Sequence, residues 1–209
     1  MFWINGHKKI HSKLKKTILV MIVVVIFVAI LTVLQYAIHY YSNPVQKDIN
    51  IFTTGCLLFK DDKRQEKIVP VEIKGKTLHY IFHNEEDAVQ GDIYVNGFSL
   101  FGYGTNRDEP NVGFYTRFLE NSDYATTEMS GDSILCKTIT VSKNLNKVVC
   151  VVKADASITG EKDSSPEEAL LVIPADNLDN AESLVKEAVS NSKQFKNWLK
   201  DRNWVTGLE

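Results

Sequence analysis

The segment from Thr17 to Ile38 carries no charged side chain and is dominated by Ile, Val, Leu and Phe, and this run decides what the chain can become. Its twenty-two residues, wound as a helix at ~1.5 Å each, span roughly 33 Å, enough to cross a hydrocarbon core of ~30 Å. The β-branched stretch Val23-Val24-Val25-Ile26 suits a strand in water. In lipid a lone segment must satisfy its own backbone, and a helix does that. Tyr36, Tyr40 and Tyr41 sit at the far end, where amphipathic rings favour the headgroup level.

Charge is divided sharply around this segment. The first 47 residues hold six lysines, five of them before the span (Lys8, Lys9, Lys13, Lys15, Lys16), and no acid. All 26 acidic residues lie at Asp48 or beyond, against 18 Lys and Arg, a net of −8. The positive-inside rule therefore keeps the N-terminus in the cytoplasm and exports the remainder. The apolar run exceeds the ~7–15 residues of a cleaved signal peptide, and Gln35-Tyr36-Ala37 is a poor cleavage site, so an uncleaved anchor is expected. Thr53-Thr54-Gly55-Cys56 lies too far past the run to attach a lipid. An acidic exported domain repels phosphate backbones and is not expected to bind nucleic acid.

Beyond Ser42-Asn43-Pro44, which breaks the helix, the hydrophobic period becomes alternating. Strands are expected at Ile49 to Phe59, Val69 to Ile73, Thr77 to His83, Asp92 to Leu100 and Phe114 to Leu119. Lys74-Gly75-Lys76 reads as a hairpin turn, residues 102–113 as a long loop, and Glu120 to Asp132 as a polar connection. The clearest hairpin joins Ile134 to Val141 and Lys147 to Lys153. Ser165-Pro166-Glu167-Glu168 reads as a helix opening, and Asp179-Asn180-Ala181-Glu182 as a capping box. Ala181, Leu184, Val185, Ala188, Ser192, Phe195 and Leu199 then recur at helical spacing. About seven short strands followed by an amphipathic helix describe an α+β domain, a small antiparallel barrel or sandwich.

Chemistry-bearing residues are sparse. An exported domain permits disulfides, and Cys136 with Cys150, in the two arms of one hairpin, is the preferred pair. That choice leaves Cys56 as a buried thiol, while a pairing of Cys56 with either of the others stays open. His79 and His83 share a face if they lie on a strand, but four residues span ~13 Å, too far to bind one ion. They read as solvated histidines, with acid sensing as the alternative. Gly102-Tyr103-Gly104-Thr105 lacks the lysine and spacing of a phosphate loop. The carboxylates Asp176, Asp179, Glu167 and Glu168 are explained by helix caps. No catalytic, cofactor-binding or metal-binding residue is nominated, and a non-enzyme is expected.

Three stretches resemble the ToxS-like and FidL-like periplasmic proteins of Gram-negative bacteria. They are Thr54-Gly55-Cys56, then Leu78 to Phe82 followed by Gly91 to Gly97, and lastly Ile158 to Glu168 with its Asp163-Ser164-Ser165-Pro166-Glu167 segment. The resemblance implies residence in the bacterial inner membrane, with the N-terminus cytoplasmic and the domain periplasmic. It further implies an accessory that binds and stabilises a membrane-spanning transcription regulator, and an apolar ligand for some members. An immunity or inhibitor protein neutralising a periplasmic toxin is the alternative, and a structural subunit of an envelope or secretion assembly is a second one. The expected organisation is a basic cytoplasmic tail over 1–16, a transmembrane signal anchor over 17–38 and a linker over 39–48. The β-rich periplasmic domain follows over 49–209, with its C-terminal helix at 180–200.

Overall fold

The computed structural model describes residues 4–60, 66–82, 85–102, 113–119, 122–129, 134–161 and 167–204, with side chains of the first helix from position 15 onward. The chain divides into two units, Met1–Pro44 and Val45–Glu209.

The first unit is one helix, α1 (Ile4–Ser42). Its segment Lys15–Ser42 is long and apolar enough to span a membrane, and none of its most apolar window is buried against protein. The helix ends where Ser42-Asn43-Pro44 was expected to break it. Asn43 closes the last turn, its side chain and its main-chain N–H both donating to the His39 carbonyl.

The second unit is a single curled antiparallel sheet with helices on one outer face. Its strands are β1 (Val45–Phe59), β2 (Glu66–His79), β3 (Ala88–Val95), β4 (Phe98–Ser99) and β5 (Phe114–Arg117). They continue with β6 (Tyr124–Glu128), β7 (Cys136–Ser142), β8 (Val148–Ala154) and β9 (Glu167–Ile173). A short helix α2 (Ala156–Thr159) follows β8, and α3 (Leu178–Asn191) and α4 (Lys193–Asp201) follow β9. The strand order is β4-β3-β2-β1-β9-β8-β7-β6, with β5 paired to β3. The sheet therefore curls into a half-barrel, in keeping with the α+β, mainly antiparallel class expected.

Two cores share this sheet. Inside the curl lie Leu57, Ile73, Ile93, Phe114, Ile139, Leu145, Leu171 and their neighbours. On the outer face Cys56, Val149, Val151, Leu170 and Val172 meet Val185, Phe195, Trp198 and Leu199 of the helices. The central strands β8 and β9 are buried on both faces, which explains the continuous runs Val148 to Val152 and Ala169 to Ile173.

Several expected elements are corrected. Lys74-Gly75-Lys76 is not a turn, because β2 runs unbroken from Glu66 to His79 and Gly75 lies opposite Gly91 of β3. The strand expected over Asp92 to Leu100 is two strands, folded at Asn96-Gly97, where φ is +51° and +84°. The polar stretch after Leu119 contains β6. Glu167 and Glu168 open a strand, not a helix. The C-terminal helix is two helices broken at Ser192, and its N-cap is Asn177, whose side chain accepts from the Asn180 N–H at 2.9 Å.

Candidate functional site

The curl brings the two ends of the sheet, β5 and β6, close together without pairing them. β5 bonds to β3 and β6 to β7, so these consecutive strands belong to opposite rims. Between them Thr127 donates its hydroxyl hydrogen bond to Thr116. Outside this seam, where the α3–α4 junction overhangs β6, lies a groove of about 900 Å³. Its lining includes Tyr115, Arg117 and Leu119 on one side, and Tyr124, Thr126 and Ser192 on the other.

Each of these side chains is placed by a local rule. Alternation along β5 buries Phe114 and Thr116 and turns Tyr115 and Arg117 outward. The Arg117 Nε donates to the Tyr115 hydroxyl at 3.1 Å. Leu119 is 71% exposed at the mouth. Across the groove, Thr126 Oγ1 lies 2.9 Å from Thr140 Oγ1 and 2.7 Å from Ser192 Oγ. Ser192 also caps α4 by accepting from the Phe195 N–H at 3.2 Å. The helix break is therefore tied to the sheet by a chain of three hydroxyls.

Beside it, Glu187 of α3 accepts from the Tyr124 hydroxyl at 2.8 Å and from Lys147 Nζ at 2.7 Å. The Lys147 and Tyr124 hydrogen bonds hold the Glu187 carboxyl below its ordinary value, while burial and the Glu187 charge push the Tyr124 phenol up. A carboxylate depressed in the fold contributes stability that is complete above its unfolded pKa and is lost as pH falls through the folded one. The melting temperature of the parent protein should therefore exceed that of Glu187→Gln at pH 7. The difference should close as pH falls below the ordinary value of 4.5, in parallel thermal melts. Glu187 is 39% exposed, so the advantage is at most about 1 kcal/mol.

The residues singled out in the sequence lie elsewhere. Cys136 and Cys150 come together on the inner face, fully buried and hydrogen-bonded, but as free thiols rather than the expected disulfide. Burial, followed by the Cys136 contact, raises the Cys150 thiol well above its usual range. Cys56 is buried on the opposite face of the sheet, and burial together with Glu66 pushes it up to about 11. His79 ends β2 and its Nδ1 lies 2.9 Å from Asp87 Oδ1, while His83 falls outside the described residues. Burial raises the Asp87 carboxyl, but the His79 and Tyr80 N–H hydrogen bonds and Lys143 outweigh it and bring it below its usual value. Of the long loop expected over residues 102–113, only its two ends are described. Asp176 accepts from the side-chain amides of Asn177 and Asn180 beside the start of α3, and Asp179 supplies first-turn charge, while the cap itself is Asn177.

Sequence reasoning missed the groove because its lining comes from β5, β6 and the α3–α4 junction, with no motif in any of them. The only local signal was Ser192, a cap residue inside an apolar stripe. Among the described residues no group of three His, Cys, Asp or Glu is placed to hold a metal ion. Comparison of the chain with protein-family models, with curated proteins and with solved structures finds no match.

Proposed function

We propose that this chain is a membrane-anchored accessory protein whose folded domain works outside the cytoplasm, binding and stabilising a membrane-spanning transcription regulator. The observation that carries the reading is the arrangement along the chain. A basic tail and a long, exposed apolar helix are joined within three residues to an acidic folded unit. A domain so tethered meets partners that share its membrane. The groove beside β5 and β6 offers an apolar or amphipathic ligand a place between Tyr115, Leu119 and the hydroxyl chain.

The net charge of −8 from Asp48 onward favours a second reading, an immunity protein that captures a basic toxin by electrostatic steering. Crosslinking of the tagged protein in its native membrane separates the two. The regulator reading expects a membrane protein with a cytoplasmic DNA-binding domain among the adducts, and altered transcription when the chain is deleted. Failure of both results overturns it, and capture of a secreted toxin establishes the alternative. A periplasm-active reporter enzyme fused after Glu209 should be active, and activity of a cytosol-only reporter at the same position would overturn the orientation.

A further inference from the structure

β1 is the longest strand of the sheet, and over most of its length the described residues use only one of its edges. β2 pairs with it from Val45 to Leu58, whereas β9 pairs with it only from Cys56 to Phe59. The last contact on the β9 side is the Ala175 N–H, which donates to the Thr54 carbonyl at 3.1 Å. That bond fixes which way the backbone faces. A strand residue directs its N–H and C=O to the same side, and the side alternates from residue to residue. The register of β1 on β2 is continuous, with no bulge. Gln46, Asp48, Asn50 and Phe52 therefore aim their main-chain groups the same way as Thr54, where no described strand, helix or loop accepts them.

This free edge, Val45–Thr53, is about 30 Å long at ~3.3 Å per residue. Exposed edges are normally kept short, bulged, charged, interrupted by proline or covered; this one is long and unbulged, holds no proline, is covered by none of the described residues, and carries charge only at Lys47 and Asp48 near its start. Its two faces also differ. Ile49 and Ile51 are half-buried at the rim of the inner core, and Phe52 on the other face is 73% exposed. One more strand would bring apolar side chains beside Ile49 and Ile51 and close the inner core on that side. An alternating segment, apolar toward that core and able to cover Phe52 on its other face, matches these needs.

We propose that the free edge of β1 takes up, by strand addition, an extended segment flanking the membrane span of a different anchored protein. The proposal rests on the anchored, partner-binding reading above and names the surface that meets the partner. The position of the edge selects the occupant. β1 starts three residues after the last helical residue Ser42, within ~11 Å of chain, so the edge begins where the anchor leaves the membrane. A segment flanking another span is held at the same height and meets the edge at high effective concentration.

A second copy whose β1 runs parallel to the first fits poorly. A two-fold axis along the strands then sets Asn50 against Asn50. In a parallel ladder the outward groups of one residue meet those of residues one step to either side of its opposite number. The edge turns only every second residue outward, so in the symmetric pair no group finds its partner.

The test uses the full-length protein in its native membrane with a photoactivatable benzophenone side chain replacing Asn50 or Phe52. The same group replacing Leu119 or Phe98 samples other surfaces. The expected adduct at 50 and 52 maps by mass spectrometry to an extended segment adjoining the apolar span of a different protein. Asn50→Pro removes one outward N–H without touching the β2 ladder, and should lower the Phe52-position adduct about tenfold while leaving the thermal melt of the protein unchanged. Gln46→Pro makes the same change near the strand's start and serves if Asn50→Pro melts early. An adduct of the chain with itself overturns the proposal, as does one far from any span, one insensitive to both prolines, or none. Capture of a regulator from position 98 or 119 alone overturns the edge and leaves the anchored accessory reading standing. Capture of no regulator from any position overturns that reading as well.

Discussion

Phe195→Ala should lower the melting temperature of the protein by roughly 10 °C, the consequence of losing about 3–5 kcal/mol in a domain of this size. Phe195 is wholly buried in the first turn of α4 and packs in the cluster that holds the helix pair against the outer face of β8, β9 and the end of β1. Its own N–H is the group that Ser192 caps, and Ser192 in turn reaches Thr126 of β6. Truncation therefore opens a cavity at the point where the cap, the helix break and the hydroxyl chain converge. Trp198 and Trp204 lie in the same cluster, so their fluorescence follows the loss directly. Phe195→Leu keeps most of the volume and should cost less than about 1.5 kcal/mol. A melt of Phe195→Ala within a degree of the parent protein would show that α4 does not pack on the sheet.

How far such packing could be read from the sequence depends on whether a residue reports its period or its neighbours. The spacing of Ala181, Val185, Ala188, Phe195 and Leu199 revealed an apolar helical face, and all five are buried in the helix-side core. The same stripe concealed the break at Ser192. A serine at helical spacing looks like an ordinary polar position until its hydroxyl is seen accepting the Phe195 N–H. The β7–β8 hairpin was legible because Val148 to Val152 is an unbroken apolar run, four valines around Cys150, preceded by a polar turn. β9 was not, because Ser165-Pro166-Glu167-Glu168 is a strong helix-opening signal. The run from Ala169 to Ile173, too short for a helix and apolar on both faces, carried the decisive information. β6 escaped because Thr126 and Thr127 spend their hydroxyls on Thr140, Ser192 and Thr116, so the strand has no hydrophobic alternation to show. For the groove and the free edge of β1, the relevant facts are which strands do not pair, and no local pattern encodes that.

The second large effect lies at the glycines. Gly75 reads as a turn in the sequence yet lies inside β2, and the glycine that turns is Gly97, after Asn96. Gly75, Gly91 and Gly113 instead allow β2, β3 and the start of β5 to pass within backbone contact. A Cβ on Gly91 would lie 2.5 Å from the Lys74 carbonyl oxygen and 2.9 Å from the Gly75 Cα, and one on Gly113 would lie 1.9 Å from the Gly91 oxygen. These obstacles are main chain and cannot rotate away. Leu145 from the β7–β8 turn closes the same spot from inside the curl, 3.0 Å from where a Gly75 Cβ would stand. Gly91→Ala should therefore cost about 3 kcal/mol, the upper end of overpacking, and lower the melting temperature by roughly 6–12 °C. Gly55→Ala is the control. Its Cβ would meet side chains rather than main chain, Leu171 Cδ1 at 2.9 Å, Val71 Cγ2 at 3.0 Å and Ile173 Cγ1 at 3.2 Å, which give more readily than backbone, so its cost should stay at ~1–2 kcal/mol. Since Gly75 and Gly91 face one another across a single gap, strands forced apart by the first methyl leave room for the second. The double variant Gly75→Ala/Gly91→Ala should then lose less than the sum of the two single losses. A Gly91→Ala melt no lower than that of Gly55→Ala would show that the strands do not approach so closely, and that glycine holds this position for another reason.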